Sequence, residues 1–179
     1  MGIKVLLHIC CGVCAAGAAE QLLAEGFDVT GYFYNPNIYP YGEYQKRLEA
    51  AGKAAEELKF SLKEGLYTPD EWTAAAESLE DEPEGGKRCE VCFRYRLENT
   101  YSVLNEYGFD YYTTTLTAGP RKPAAVVNRI GAGIGGEKFL IRDFKKKAGF
   151  QRATSLAKEW GIHRQHYCGC VHSIRVDTT

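Results

Sequence analysis

Apolar residues fall along this chain in short runs and spaced stripes that alternate from one kind to the other. Ile3 to Ile9 is apolar except at Lys4 and His8, which suits a buried strand, and Ala15 to Glu25 is Ala/Leu-rich and ends at Gly26, which suits a helix with its stop signal. Asp28 to Tyr34 turns to β-branched and aromatic residues until Asn35-Pro36-Asn37 breaks it. Leu48, Ala51, Ala55 and Leu58 give Glu43 to Leu58 a helical face, and a short strand is expected over Phe60 to Leu62. Thr68-Pro69 opens another helix, with Thr68 as cap and Pro69 in the first turn. Beyond the polar loop Glu80 to Lys87, Cys92 to Tyr107 reads as a helix and Tyr111 to Leu116 as a strand. Helices over Lys122 to Ile130 and Phe150 to Trp160 follow, separated by a glycine-rich turn, Gly131 to Gly136, and a short strand, Lys138 to Ile141. Strands alternating with helices predict an α/β sandwich: a central, mostly parallel sheet covered on both faces, with its site beyond the carboxyl ends of the strands.

The 179 residues are 45% hydrophobic and 25% charged, which suits one globular domain spanning residues 1–179. No apolar run approaches the roughly 20 residues of a membrane span, and Met1-Gly2-Ile3-Lys4 leads into a strand without the pattern of a signal peptide, so a cytoplasmic protein with no membrane partner is expected. A net charge of −1 means that a nucleic-acid partner would have to meet a local basic patch.

Seven cysteines change the picture. In a reducing compartment they point to metal ligation or redox chemistry rather than to structural disulfides. His8-Ile9-Cys10-Cys11-Gly12-Val13-Cys14 sits where the first strand turns into the first helix, and the exposed amides of a helix start favour thiolates. Arg88-Cys89-Glu90-Val91-Cys92 supplies a C-x-x-C, and Tyr167-Cys168-Gly169-Cys170 supplies a C-x-C. Four thiolates make either a zinc site or an iron–sulfur cluster, and seven exceed one closed zinc site. The surplus suits a cluster accompanied by a further iron or by a redox-active pair. Asp143 follows an expected strand and is a candidate ligand or proton donor, or a turn residue. Arg142, Lys145 to Lys147, Arg152 and Arg164 could hold a phosphate backbone, and Tyr34, Tyr39, Tyr41 and Tyr44 could stack on bases or pack a loop. Cys-Cys-Gly-Val-Cys stands where an adenylating enzyme on such a sheet would carry a Ser-Gly-Gly loop, which argues against ATP-dependent adenylation.

Six segments in order resemble one family over nearly the whole chain: His8-Ile9-Cys10-Cys11 with Cys14, Phe33 to Ile38, Arg88 to Cys92 with Arg96-Leu97, Thr113 to Leu116, Asp143 to Lys146, and Tyr167 to Cys170. The family is the cobalamin-independent, iron–sulfur epoxyqueuosine reductases, QueH. The resemblance implies a Rossmann-like (HUP-like) three-layer sandwich that forms a single iron–sulfur reductase domain. It further implies reduction of epoxyqueuosine, at the wobble position of a tRNA anticodon, to queuosine, with two electrons from a donor the sequence does not name. By carry-over, Cys10, Cys11, Cys89 and Cys92 hold a [4Fe–4S] cluster, while Cys168 and Cys170 form a redox pair or share an additional mononuclear iron with Asp143. Cys14 is left between ligation, tuning and packing. Asp143 or Tyr167 would protonate the leaving oxygen. The chain departs from the family pattern at Gly12-Val13, where Ala-Pro is more usual, and at Gly119-Pro120, where Ser-Pro is common. Two alternatives stay open: a metal-free thiol–disulfide oxidoreductase, and a zinc-stabilised tRNA-binding module.

Overall fold

A computed structural model describes residues 2–174. Four strands, β1 (Lys4–Ile9), β2 (Asp28–Phe33), β3 (Ser61–Glu64) and β4 (Tyr111–Thr114), form one sheet in the order β3-β2-β1-β4 with every pair parallel. Val5, Leu6, Leu7 and Ile9 of the central strand are wholly buried, as a parallel strand covered on both faces requires. Helices α1 (Gly12–Ala24), α2 (Tyr41–Leu58) and α6 (Gly149–Glu159) pack as one layer. On the other face α4 (Lys87–Tyr107) packs against α5 (Ala124–Gly135), and the short α3 (Pro69–Ala75) rests on α4. This is the expected α/β three-layer sandwich. Among the described residues, no helix is long and apolar enough to cross a membrane.

Small residues let the layers close. A Cβ at Gly12 would lie 2.6 Å from the backbone of Ala50 on α2, and one at Gly17 would lie 2.7 Å from Ala153 on α6, so α1 meets both neighbours at near-backbone distance. Gly108 ends α4 in the left-handed conformation, φ +68, its N–H returning to the Leu104 carbonyl.

The differences from the sequence reading have physical causes. The Gly131 to Gly136 segment is not a turn: Gly131 through Gly135 complete α5. Side chains there would collide with aromatic rings, since a Cβ at Gly131 would lie 2.3 Å from Phe139 and one at Gly135 would lie 2.4 Å from Tyr112. Glycine thus serves close packing within the helix. The strand expected at Lys138 to Ile141 reduces to one bridge between Phe139 and Tyr112. β4 stops at Thr114 because the Thr114 hydroxyl accepts the Leu116 N–H (3.1 Å) and starts a 3₁₀ turn over Thr115–Ala118. Helix α4 begins at Lys87, five residues before the expected start, which puts Cys89 and Cys92 one turn apart on a helix.

β1 is flanked by β2 on one side and β4 on the other, so the connections leave it in opposite directions. A crevice opens beyond the carboxyl ends of β1 and β4, the usual ligand position in an open parallel sheet.

Candidate metal centre

Cys10 and Cys11 follow directly from buried β1. Cys11 is extended, and its sulfur accepts the Cys14 N–H at 3.4 Å, so a thiol caps α1 where an oxygen is usual. The sulfurs of Cys10, Cys11 and Cys14 all lie within 4.8 Å of one another, Cys10 and Cys11 being 4.0 Å apart. From the end of β4, buried Thr115 accepts the Cys10 N–H (3.0 Å) and donates its hydroxyl to the Cys10 sulfur (3.2 Å). Hydrogen bonds from Cys11 and Cys14, and then the Lys122 charge and Thr115, pull Cys10 well below the usual thiol range against its burial. Cys11 is pushed up to about 12, chiefly by its hydrogen bond with Cys10, and Cys14 rises for the same reason. Three converging sulfurs, with Cys10 favouring its thiolate form, make a soft site that can hold a metal ion.

The other four cysteines lie around this trio: Cys168 lines the same cavity as Cys10 and Cys14, and Cys89 packs against the main core. Cys92 and Cys170 are buried with Trp72 and Ala76. Cys89 accepts the Gly85 N–H at 3.2 Å. Burial above all, with the charges of Cys168 and Cys170, raises the Cys89 thiol and, against the charge of Arg96, lifts Cys92 to about 11. All seven cysteines are free.

Two cations connect these cysteines electrostatically. Arg96 on α4 is buried; it donates to the Asn35 side chain (3.2 Å) and to the Cys92 carbonyl (3.3 Å), and the charges of Cys92, Cys168, Cys10 and Cys89 act on it. Its Nη2 has no partner. Lys122 is held protonated mainly by Cys168 and then, against burial, by Cys10 and Cys14. His8 is wholly buried between Thr114 (2.8 Å) and the Tyr34 carbonyl (3.0 Å). A carbonyl only accepts, so Nε2 carries the proton and Nδ1 accepts from Thr114. Burial above all, then Arg96, lowers its pKa to about 4, leaving it neutral.

A cavity of about 280 Å³ opens on the centre. Cys10, Cys14, Cys168, Arg96, Lys122 and Tyr167 contribute to its lining, and Arg47, Arg121 and Arg164 bring further positive charge with no carboxylate among the lining residues. The Tyr167 to Cys170 segment is strapped to α2: buried Arg47 donates to the carbonyls of Tyr167 (3.0 Å) and Cys168 (2.8 Å), while Tyr39 N–H donates to the Gly169 carbonyl (2.7 Å). The Tyr167 hydroxyl donates to the Tyr39 carbonyl, and burial chiefly raises its pKa. Asp143 pairs with Lys145 (3.3 Å) and is not among the residues lining the cavity.

The family model of epoxyqueuosine reductase QueH matches residues 5–176. The chain belongs to the QueH family. The epoxyqueuosine reductase QueH of Thermotoga maritima is 40% identical over 179 residues, covering 95% of this chain and 90% of that one. That of Streptococcus pyogenes serotype M1 is 38% identical over 97% of this chain and 71% of its own. Among solved structures, the U34-tRNA thiolase NcsA from Methanococcus maripaludis, with its [4Fe-4S] cluster, superposes with TM-score 0.60 at 19% identity, over 97% of this chain and 62% of that one. NMN synthetase from Francisella tularensis gives 0.55 at 16% identity, over 94% and 68%. Likeness at that distance establishes the HUP-like fold. As a QueH-family protein the chain is an oxidoreductase.

The sequence suggests that all three cysteine clusters could gather at one end of the sheet; of the seven cysteines, Cys10, Cys14 and Cys168 line one cavity, together with Tyr167. The sequence reading assigned no role to Thr115, Lys122, Arg47 or Arg96. Arg96 and Thr115 stood in quoted motifs, but only the charges of Cys92, Cys168 and Cys10 acting on Arg96, and the Thr115 bonds to Cys10, give them meaning.

Proposed function

We propose that this protein reduces epoxyqueuosine to queuosine at the wobble position of tRNA, in the cytoplasm, as a single domain over residues 1–179. The observation that carries this reading is one cavity in which Cys10, Cys14 and Cys168, drawn from opposite ends of the chain, meet Arg96 and Lys122. The residues fit a [4Fe–4S] cluster. Thiolates are its usual ligands, the seven thiols are free, and the orphaned Arg96 Nη2 is a buried donor suited to an anionic group. Cys10, Cys11, Cys89 and Cys92 would hold the cluster, with Cys168 and Cys170 as a redox pair or, with Asp143, as ligands to an additional iron. When bound, such a centre supplies electrons one at a time and, at an open iron, Lewis acidity.

Opening the epoxide to the alkene consumes two electrons and two protons and releases the oxygen as water. Lys122 and Tyr167 line the cavity as candidate proton donors; the thiolate charges of Cys168 and Cys10 keep Lys122 protonated, so it would yield its proton only to the strongly basic oxygen of the opening epoxide. Arg121 and Arg164, exposed at the rim, would attract the phosphates that flank the reacting nucleoside.

One observation favours a second partition of the ligands: Cys10, Cys11 and Cys14 converge within 4.8 Å, whereas the Cys168 and Cys170 charges act on Cys89 and Cys92. In that arrangement the first three share one metal and the other four hold the cluster. Anaerobic purification with iron and sulfide quantification, followed by turnover of epoxyqueuosine-containing tRNA with dithionite, tests both. About four iron and four sulfide per chain, lost in Cys89→Ala, together with queuosine in the nucleoside digest, supports the reductase. Full cluster content in Cys11→Ala would favour the second partition. Colourless protein that turns over no epoxyqueuosine refutes the proposal.

A further inference from the structure

A second cavity, about 460 Å³, is lined in part by Val171, the residue that follows the strapped Tyr167 to Cys170 segment. Tyr39 joins the two: it lines the second cavity, while its carbonyl accepts the hydroxyl of Tyr167, which lines the first. The volume falls within the ~300–1,000 Å³ range of small-ligand sites. Its walls are aromatic, with Tyr39, Tyr41, Tyr67 and Trp72 contributing. Tyr39 and Tyr41 are each 54% exposed. Tyr41 is backed by Tyr44 (centroids 5.8 Å, 14° between planes) and Tyr67 (5.3 Å), so the ring is held in place with much of its surface open.

The polar floor is what makes this a built site. Asn37 lines the cavity, is 2% exposed, and has neither amide nitrogen nor amide oxygen hydrogen-bonded. Leaving both groups unpaired is costly unless a ligand completes them. A side-chain amide presents a donor and an acceptor side by side, the complement of a nucleobase edge. The charges differ between the cavities as well. The first is lined by several cations and the second by a single charged residue, Asp70, so phosphates favour the first and a neutral ring suits the second.

We propose that the second cavity is a nucleobase site: it takes an unpaired base of the RNA strand adjoining the nucleoside being reduced, stacked on Tyr41 and read by the Asn37 amide. This rests on the reading of tRNA as substrate. Sequence-specific RNA recognition targets unstacked loop bases in this way, with aromatic platforms and polar edges.

The test is fluorescence anisotropy with a labelled anticodon stem-loop RNA and the anaerobically purified holoprotein. Tyr41→Leu should weaken binding by at least about fivefold, the lower end for one stacked base. An abasic substitution at one loop position should weaken the wild type similarly and leave Tyr41→Leu nearly unchanged. Asn37→Ala should lose affinity with normal iron content. Equal affinity for wild type and Tyr41→Leu, or additive losses at every abasic position, would overturn the site. Loss of iron in Asn37→Ala with unchanged RNA affinity would assign the amide to the metal centre and overturn its role here. Wild-type turnover of epoxyqueuosine in the same stem-loop, scored separately, tells a failed site from a failed substrate assignment.

Discussion

Replacing Thr115 by Val isolates one hydroxyl at the centre. Thr115 is wholly buried, and its oxygen accepts the Cys10 N–H at 3.0 Å while donating to the Cys10 sulfur at 3.2 Å. Valine keeps the shape, so no cavity opens and the loss reports hydrogen bonding alone. A buried N–H left unsatisfied costs about 1–3 kcal/mol, and losing the bond to the sulfur adds about 1 kcal/mol, giving a destabilisation of roughly 2–4 kcal/mol. Thr115→Ser keeps both bonds and gives up one methyl, worth about 1 kcal/mol. Urea unfolding of the metal-free chain under anaerobic, reducing conditions should rank wild type above Thr115→Ser above Thr115→Val, with unchanged m-values. If Val sits within about 0.5 kcal/mol of wild type, or if Ser is as damaging as Val, packing and not the hydroxyl holds Cys10, and the reasoning fails.

Gly12→Ala places a methyl 2.6 Å from the Ala50 backbone and should cost about 1–3 kcal/mol in urea unfolding, although alanine is the more usual residue in the family pattern. Gly169 has φ +122, and a Cβ there would lie 2.9 Å from the Arg47 guanidinium, so Gly169→Ala should loosen the strap and speed alkylation of Cys168, followed by mass spectrometry. Burial works to raise the Glu43 pKa, but its hydrogen bond and charge pairing with Arg47, aided by His163, hold it below the usual 4.5. A depressed carboxylate contributes stability above its unfolded pKa that is lost as pH falls through the folded value. The gap in unfolding midpoint between wild type and Glu43→Gln should therefore be present at neutral pH and close below the ordinary carboxylate range; a gap that widens with acidification would contradict the pairing.

Local patterning made the sheet legible. The buried run Val5 to Leu7 and the break at Asn35-Pro36-Asn37 mark β1 and β2 because each is set by neighbours in sequence. Gly131 to Gly136 was not legible, since composition there says turn, whereas Phe139 and Tyr112, distant in pattern but close in space, require glycine within a helix. The first cysteine cluster revealed itself by density and by its place after a strand. Thr115, Lys122 and the Asn37 amide did not: nothing in a threonine's neighbours says that its hydroxyl will meet a sulfur brought by another strand. Asp143 stands out by its place after an expected strand as a ligand, a proton donor or a turn residue, and position alone did not reveal its pairing with Lys145.

Helix α1 is seated between α2 and α6, and at Gly12 and Gly17 its backbone comes so close to Ala50 and Ala153 that a Cβ would collide, so the segment that carries Cys11 and Cys14 has little room to shift there. Close-packed interiors compress little. A metal centre held on that mount would be kept from large changes of geometry between its oxidised and reduced forms, which would lower the reorganisation energy of each electron transfer. With such a centre bound, the glycines of α1 would bear on how fast electrons pass as well as on how tightly the helices fit.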